Sequence, residues 1–129
     1  MLFRSAEYQK IFETNLAEQA AGGHGIGRSH ICIPPDLPMA MNVYEPMEII
    51  VTGDTTHITI QSMGVHRRIY TDGRDWPSEP EASFNGYSIG KWVDEDGDGK
   101  FDVLEIETRW LKLPRSYDVE GVQIGRAHV

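Results

Sequence analysis

Apolar residues recur at helical spacing near the start of the chain. Between residues 6 and 20 the spacing runs three, one, four and four, at Tyr8, Ile11, Phe12, Leu16 and Ala20. This spacing places them on one face and predicts a helix over 6–20. Ser5 can cap its start, and the following Gly22 and Gly23 can end it because glycine accepts left-handed backbone. We expect the apolar face to pack against a sheet.

The pattern changes to that of β-strands after a proline-rich segment. Four prolines between residues 31 and 46 exclude a helix there and favour an extended segment. Three runs follow that are rich in β-branched residues or alternate apolar and polar positions: 47–52, 56–63 and 65–71. Turn residues separate them, so these runs predict an antiparallel meander with short links.

Two further runs, 84–93 and 101–111, predict another strand pair beyond the polar loop 74–83. The second run has apolar residues on both faces, which favours an inner strand. The predicted fold class is therefore mainly β, an antiparallel meander or curled sheet with one N-terminal helix, and a lipocalin-like barrel is one form of it. The length suits a single domain over 1–129.

Composition narrows the range of functions. No apolar run approaches the roughly 20 residues that cross a bilayer, so we expect no membrane span. With 12 basic and 20 acidic residues the net charge is −8, which disfavours a nucleic-acid partner. The single cysteine, Cys32, cannot form an internal disulfide or a thiolate cluster. None of these quantities predicts the oligomeric state.

The two ends of the chain resemble translated sequencing-adaptor DNA. The runs are Leu2-Phe3-Arg4-Ser5 and Ile124-Gly125-Arg126-Ala127-His128-Val129. The resemblance implies that residues 1–5 and 124–129 are non-native, and that the natural part is a metagenomic fragment truncated at its C-terminus. The alternative is that both runs are natural, frayed termini.

An acidic loop of twelve residues separates the last two predicted strands. It reads Asp94-Glu95-Asp96-Gly97-Asp98-Gly99-Lys100-Phe101-Asp102-Val103-Leu104-Glu105, which fits D-x-D-x-D-G with acids at the ninth and twelfth places. Carboxylates at alternate positions of a curled loop can converge on one point, and calcium takes about six to eight oxygen ligands. Gly99 permits the bend, and the Lys100 carbonyl can add a backbone oxygen. We expect the Phe101 ring to turn into the core.

Charge favours the same interpretation of this loop. Residues 94–105 contain six acidic residues and one lysine, which is most of the net charge of the chain. Neighbouring carboxylates repel each other by about 1 kcal/mol per pair even in water. A divalent cation bound between them replaces this repulsion with attraction. The alternative is a solvated turn in which Asp and Gly occur because turns favour them. A turn of about two residues is enough to join antiparallel strands, so we favour Ca²⁺ as the bound ion.

The residues that flank the loop decide which calcium motif it resembles. An EF-hand has helices on both sides, whereas GYSIGKWV and FDVLEIET are strand-like. The loop therefore resembles the calcium hairpins of integrin-type β-propeller repeats, D-x-D-x-D-G-x-x-D. That resemblance implies five ligands: Asp94, Asp96, Asp98, the Lys100 carbonyl and Asp102. Glu105 would ligate only in EF-hand geometry, and the propeller fold does not carry over because only one such loop is present.

Two other blocks carry a second resemblance. They read RRIYTDGR over 67–74 and FNGYSIGKW over 84–92, with Pro77 between them. They resemble an uncharacterised family of secreted or periplasmic bacterial proteins with the pattern RRIYTDGR…P…F-x-G-x-S-x-G-x-W. The segment 32–38 also fits that family's C-x-P-x-x-x-P stretch. The resemblance implies a β-rich extracytoplasmic protein and no particular activity. The acidic loop replaces the family's short turn after the tryptophan, so calcium binding would be a local addition.

Polar side chains gather near the end of the third predicted strand, at Arg67, Arg68, Tyr70, Asp72 and Arg74. One interpretation is that these side chains form an anion-binding or acid–base site. The other, which we favour, is that they form cross-strand ion pairs that order the sheet. Arg67 and Arg68 must point to opposite faces, because neighbours in a strand alternate. His57 and His66 lie on strands predicted to pair and offer a two-histidine metal site as a further alternative. Ser88 matches G-x-S-x-G, but a nucleophile elbow requires a helix where a strand is predicted.

Two functions from different classes remain open. The first is a non-enzymatic, periplasmic or secreted binding module with a structural Ca²⁺ hairpin and no catalytic residue. The second is a small enzyme acting on an apolar or aromatic metabolite in a β-sheet cavity, with Arg67, Arg68, Tyr70 and Asp72 as its polar groups. A closed apolar cavity would favour the enzyme. The aromatic residues that would line it can equally be core: Tyr70, Trp76, Tyr87, Trp92 and Trp110. A fragment that lacks its last strands would instead expose sheet edges.

Overall fold

The structure, a computed structural model, describes residues 5–25, 34, 37–42, 45–61, 64–113, 115–116 and 123–124. The chain divides into two compact units. The first comprises Met1–Val43 and Leu113–Val129, and the second comprises Tyr44–Lys112. The prediction of one domain over the whole length stays a prediction.

The first unit contains the predicted helix. Helix α1 spans Ala6–Ala20, and the Ser5 hydroxyl accepts a hydrogen bond from the Tyr8 N–H at 3.4 Å. Tyr8, Ile11 and Phe12 of the predicted apolar face are half-buried, and the buried Asn15 lies on the same face at i+3 and i+4 spacing. Leu16, at the margin of that face, is 48% exposed.

The rest of this unit contains short elements. A 3₁₀ helix, Met39–Met41, interrupts the proline-rich segment that was expected to be extended throughout. It forms where the chain is free of proline, between Pro38 and Pro46. Strands β6 (Arg115–Ser116) and β7 (Gln123–Ile124) pair antiparallel.

The second unit is an open five-stranded sheet, which confirms the mainly β fold class. Its strands are β1 (Met47–Val51), β2 (Thr55–Ile60), β3 (Val65–Tyr70), β4 (Tyr87–Val93) and β5 (Val103–Arg109), and they lie in that order. Strands β1, β2 and β3 form the predicted antiparallel meander. Strands β4 and β5 form the second predicted pair, also antiparallel.

The pairing of β3 with β4 is parallel, which the strand pattern alone did not predict. Two residue pairs join them, Ile69 with Ser88 and Tyr70 with Ile89. Parallel neighbours need a connection of about a dozen residues or more, and the loop 71–86 supplies it. Because this loop is polar and carries two prolines, it crosses over without a helix.

One face of the sheet supplies the core of the second unit. Its buried apolar residues are Ile58, Ile60, Val65 and Ile69, which occupy alternate positions of β2 and β3. Gly90 on β4 permits close packing, because a Cβ there would lie 2.7 Å from Ile69 Cγ2. The alternation that predicted these strands therefore also selects the buried face.

Strands β1 and β5 are the edges of the sheet. The sheet is not closed within residues 45–61 and 64–113, so the lipocalin-like form of the prediction is not seen there. All five residues of β1 are exposed, and Ile49 is 58% exposed. The expectation of an inner strand over 101–111 is wrong. Strand β5 is an edge strand, so its apolar residues are only partly covered.

Candidate metal centre

The β4–β5 hairpin positions the acidic loop. The last pair of the ladder joins Val93 to Val103, and the Asp102 N–H also donates to the Val93 carbonyl at 3.2 Å. Residues 94–102 therefore leave and re-enter the sheet at adjacent points. Because both ends are fixed by strand pairing, the loop curls back on itself.

Asp94 organises the inside of this loop. Its Oδ1 accepts the backbone N–H groups of Gly97 at 2.8 Å and Asp98 at 3.2 Å, and its Oδ2 accepts that of Gly99 at 2.9 Å. One carboxylate thus accepts three backbone donors from the following residues, which is the usual role of aspartate at the start of a tight turn. This arrangement holds both Asp94 oxygens towards the centre of the loop.

The two glycines of the loop are required by backbone conformation. Gly97 has φ +76° and Gly99 has φ +87°, in the left-handed region. Nothing lies within 4 Å of where a Cβ would stand at either position, so space is not the constraint. The bend assigned to Gly99 from the sequence is confirmed.

Three aspartates converge as the alternate spacing predicted. Asp94, Asp96 and Asp98 each offer one carboxylate oxygen, and these oxygens lie within 4.8 Å of one another. Asp96 and Asp98 are exposed and Asp94 is half-buried. Three hard oxygen donors at this separation make an acidic cluster that can hold a metal ion. It is the only group of three or more metal-ligating side chains within the described ranges.

Lys100 already neutralises part of the cluster. Its Nζ lies 2.7 Å from Asp98 Oδ2, and its backbone N–H donates to Asp98 Oδ1 at 2.9 Å. The hydrogen bond from the Lys100 side chain is the main cause that lowers the pKa of Asp98. A side-chain ammonium therefore contacts the carboxylate of one of the three clustered aspartates. The proposed ligand role of the Lys100 carbonyl stays a prediction.

The remaining residues of the predicted site lie farther from the cluster. Asp102 Oδ1 accepts the Glu95 N–H at 3.5 Å, and Glu105 lies in β5 opposite Lys91. Neither belongs to the group of converging oxygens, so their ligand roles stay predictions. The expectation for Phe101 is wrong: it is 69% exposed, because strand pairing resumes only at Val103 and residue 101 still belongs to the loop.

The second predicted cluster divides between the two faces of β3, as strand alternation required. Arg67 is buried and Arg68 is exposed. Arg67, Arg68 and Tyr70 line one cavity of about 170 Å³, and Asp72 does not. The closest ion pair there joins Asp72 to Arg74 at 2.6 Å, along the chain rather than across strands.

Arg74 connects this ion pair to an aromatic cluster. Its guanidinium carbon lies 3.7 Å from the centre of the Tyr70 ring, a cation–π contact. The hydrogen bond from Arg74 lowers the pKa of Asp72 to about 2. The ring centroids of Tyr70 and Tyr87 lie 5.0 Å apart, and those of Trp76 and Trp110 lie 5.5 Å apart. Four of the five aromatic residues named from the sequence are thus joined through ring contacts.

His57 and His66 are neighbours, as the predicted strand pairing implied. His57 Nδ1 and His66 Nε2 lie 2.9 Å apart, and the rings stack with centroids 5.0 Å apart. No third metal-ligating side chain joins them among the residues described here. Ser88 lies inside β4, and its Oγ lies 2.9 Å from Thr108 Oγ1. The strand-to-helix turn of a nucleophile elbow is therefore absent around Ser88.

Sequence reasoning missed Asn85 and Thr108. Asn85 lines the same cavity as Arg67, and Thr108 Oγ1 lies 3.4 Å from Arg67 Nη2. Asn85 is a variable position of the FNGYSIGKW block and Thr108 stands in no motif. Their proximity to Arg67 depends on the parallel pairing of β3 with β4 and on the β4–β5 register. No signal in the linear pattern indicated them.

No family model matches the sequence, and no curated protein or solved structure matches it either. Within the described residues no helix has the length and apolar character needed to cross a membrane.

Proposed function

We propose that this chain is a calcium-binding extracytoplasmic β-domain, a non-enzymatic binding module in which a structural Ca²⁺ holds the β4–β5 hairpin. The observation that carries the proposal is the convergence of one oxygen each from Asp94, Asp96 and Asp98 to within 4.8 Å. The hydrogen bonds from three backbone N–H groups to Asp94 support it, because they hold the first ligand in place without an ion.

The donor set favours calcium over other divalent ions. Every candidate ligand is an oxygen, and hard cations select oxygen over nitrogen or sulfur. Calcium accepts irregular geometry and more ligands, whereas magnesium demands a near-ideal octahedron and retains waters. A loop that also contains Asp102 and the Lys100 carbonyl offers further oxygens of this kind, which suits the larger ion.

Calcium bound here would act on stability. An ion that binds only the folded form stabilises it by about 2.7 kcal/mol at a concentration a hundred times its Kd. The loop joins the edge strand β5 to β4, so an ion in the loop would oppose the separation of these two strands. The role proposed for calcium is therefore structural.

A thermal melt tests the proposal directly. We expect the Tm of the wild type to rise with millimolar calcium and to fall again with a chelator. The double variant Asp96→Ala, Asp98→Ala should lose that rise. The control is Asp75→Ala, Glu79→Ala, which removes two exposed acids from the 71–86 loop and should keep it. A wild-type Tm that does not respond to calcium would contradict the proposal.

Affinity tests the extracytoplasmic part of the proposal, which is supported by the RRIYTDGR and FNGYSIGKW blocks. Calcium sites in extracellular modules bind with Kd of about 10⁻⁴ to 10⁻³ M, and cytosolic sensors bind about a hundredfold more tightly. We expect calorimetric titration to give a Kd in the weaker range. A sub-micromolar Kd would contradict an extracytoplasmic role without removing the calcium site.

A further inference from the structure

Arg67 is a buried cation without an acidic partner among the described residues. It is 6% exposed and stands between Val65 and Ile69 on the buried face of β3. Its Nη2 lies 3.4 Å from Thr108 Oγ1, and its Nε has no hydrogen-bond partner. Burial also lowers the pKa of this guanidinium. A buried charge without a counter-charge is costly, so this position calls for a second explanation besides packing.

Arg67 borders a cavity beside two strands. Strands β3 and β4 are paired only at Ile69–Ser88 and Tyr70–Ile89. The cavity of about 170 Å³ is lined by residues 66–68 on one side and 85–88 on the other, together with Tyr70. It therefore lies in the gap where the two parallel strands separate, and all of its walls belong to the second unit.

The polar groups around this cavity suit an anion. None of its eight lining residues is acidic, and two are arginines, in a chain of net charge −8. Ser88, 3% exposed, supplies a hydroxyl paired with that of Thr108. Asn85 Oδ1 is also buried without a partner. If the Asn85 side-chain amide rotates by half a turn, its NH₂ group takes the place of Oδ1, and a hydrogen-bond donor stands there instead of an acceptor.

We propose that this cavity binds a small carboxylate anion, with Arg67 as the residue that pairs with the carboxylate. A guanidinium donates two parallel hydrogen bonds to a carboxylate, and Nε is one of the donors it uses. Ser88 and Asn85 complete the site. A cavity of about 150 Å³ is enough to bind benzene, so a volume of about 170 Å³ has room for a short organic acid.

Acetate is the probe, and sodium chloride at equal ionic strength is the control. The experiment uses calcium-free buffer without chelator, because the usual chelators are themselves carboxylates. We expect millimolar acetate to shift the Arg67 Nε–Hε NMR signal saturably, and chloride not to do so. Absence of a saturable acetate shift, or an equal shift with chloride, would overturn the proposal. Neither result depends on the calcium loop, so the two proposals fail separately.

Arg67→Met tests the residue assignment. Methionine keeps the length and removes the charge, so we expect the variant to fold with an unchanged or higher Tm. Acetate should raise the Tm of the wild type because it binds the folded form. This rise should disappear in Arg67→Met, since removing one partner of a buried charge pair weakens binding at least about thirtyfold. The control Lys91→Met, an exposed β4 position outside this cavity, should keep the response. An acetate response that survives Arg67→Met would overturn the assignment, and if that variant does not fold, the wild-type NMR titration decides.

Discussion

Asp94 Oδ2 accepts a hydrogen bond from the backbone N–H of Gly99 at 2.9 Å, across five residues of chain. The other oxygen of the same carboxylate accepts Gly97 and Asp98. Asp94 therefore has two roles, since it closes the loop and supplies one of the three converging oxygens. The two roles can be separated by substitution.

Asp94→Ala removes both roles, whereas Asp94→Asn keeps one of the two acceptor oxygens and loses the charge. Without calcium we expect Asp94→Ala to lower the free energy of unfolding by about 1 kcal/mol and Asp94→Asn to lower it by less. In both variants, calcium should no longer raise the free energy of unfolding. Urea unfolding with and without calcium measures all four values. If both variants lose the same free energy of unfolding without calcium, the turn-closing role is contradicted.

Gly99→Ala tests the positive φ of the bend. Since φ at Gly99 is +87°, alanine there is strained, and we expect a loss of about 1 kcal/mol together with weaker calcium binding. Gly53→Ala is the matched control, because Gly53 also has open space around it but its φ is not in the left-handed region. Chemical denaturation compares the two. If Gly53→Ala costs as much as Gly99→Ala, strain at the bend is not the reason.

Lys100→Gln removes the ammonium that lies 2.7 Å from Asp98 Oδ2. Because this ammonium competes with a bound cation for the charge of Asp98, we expect calcium affinity to rise roughly two- to fivefold. The backbone carbonyl stays available as a ligand in either case. Lys112→Gln, outside the loop, serves as the control in calorimetric titration. A weaker affinity in Lys100→Gln would show that the lysine assists the site instead of competing with calcium.

The Asp72–Arg74 pair predicts a stability change at acidic pH. Arg74 lowers the pKa of Asp72 to about 2 in the folded protein, whereas the unfolded value is 3.8. The pair therefore contributes its full stability above pH 3.8 and loses it as the pH falls towards 2. Asp72→Asn should flatten this part of the profile, and urea midpoints across that pH range measure it. The same slope in Asp72→Asn as in the wild type would exclude Asp72 as its source.

The sequence by itself determined the local elements and the acidic cluster. The helix over residues 6–20, the meander and the β4–β5 hairpin follow from periodicity and turn residues, which act between near neighbours. The convergence of Asp94, Asp96 and Asp98 follows in the same way, because alternate positions of one short loop cannot lie far apart. The opposite orientation of Arg67 and Arg68 is equally local, since neighbours in any strand alternate.

Only the tertiary structure decided which strands became neighbours and which became edges. The parallel pairing of β3 with β4 depends on the path of the 71–86 loop, which carries no periodic signal. That pairing brings Asn85 and Ser88 to the same cavity as the buried Arg67. Phe101 is exposed for a related reason, because the pattern shows that a residue is apolar but not where strand pairing resumes. Burial depends on what packs against a residue from elsewhere in the chain, and linear spacing does not specify that.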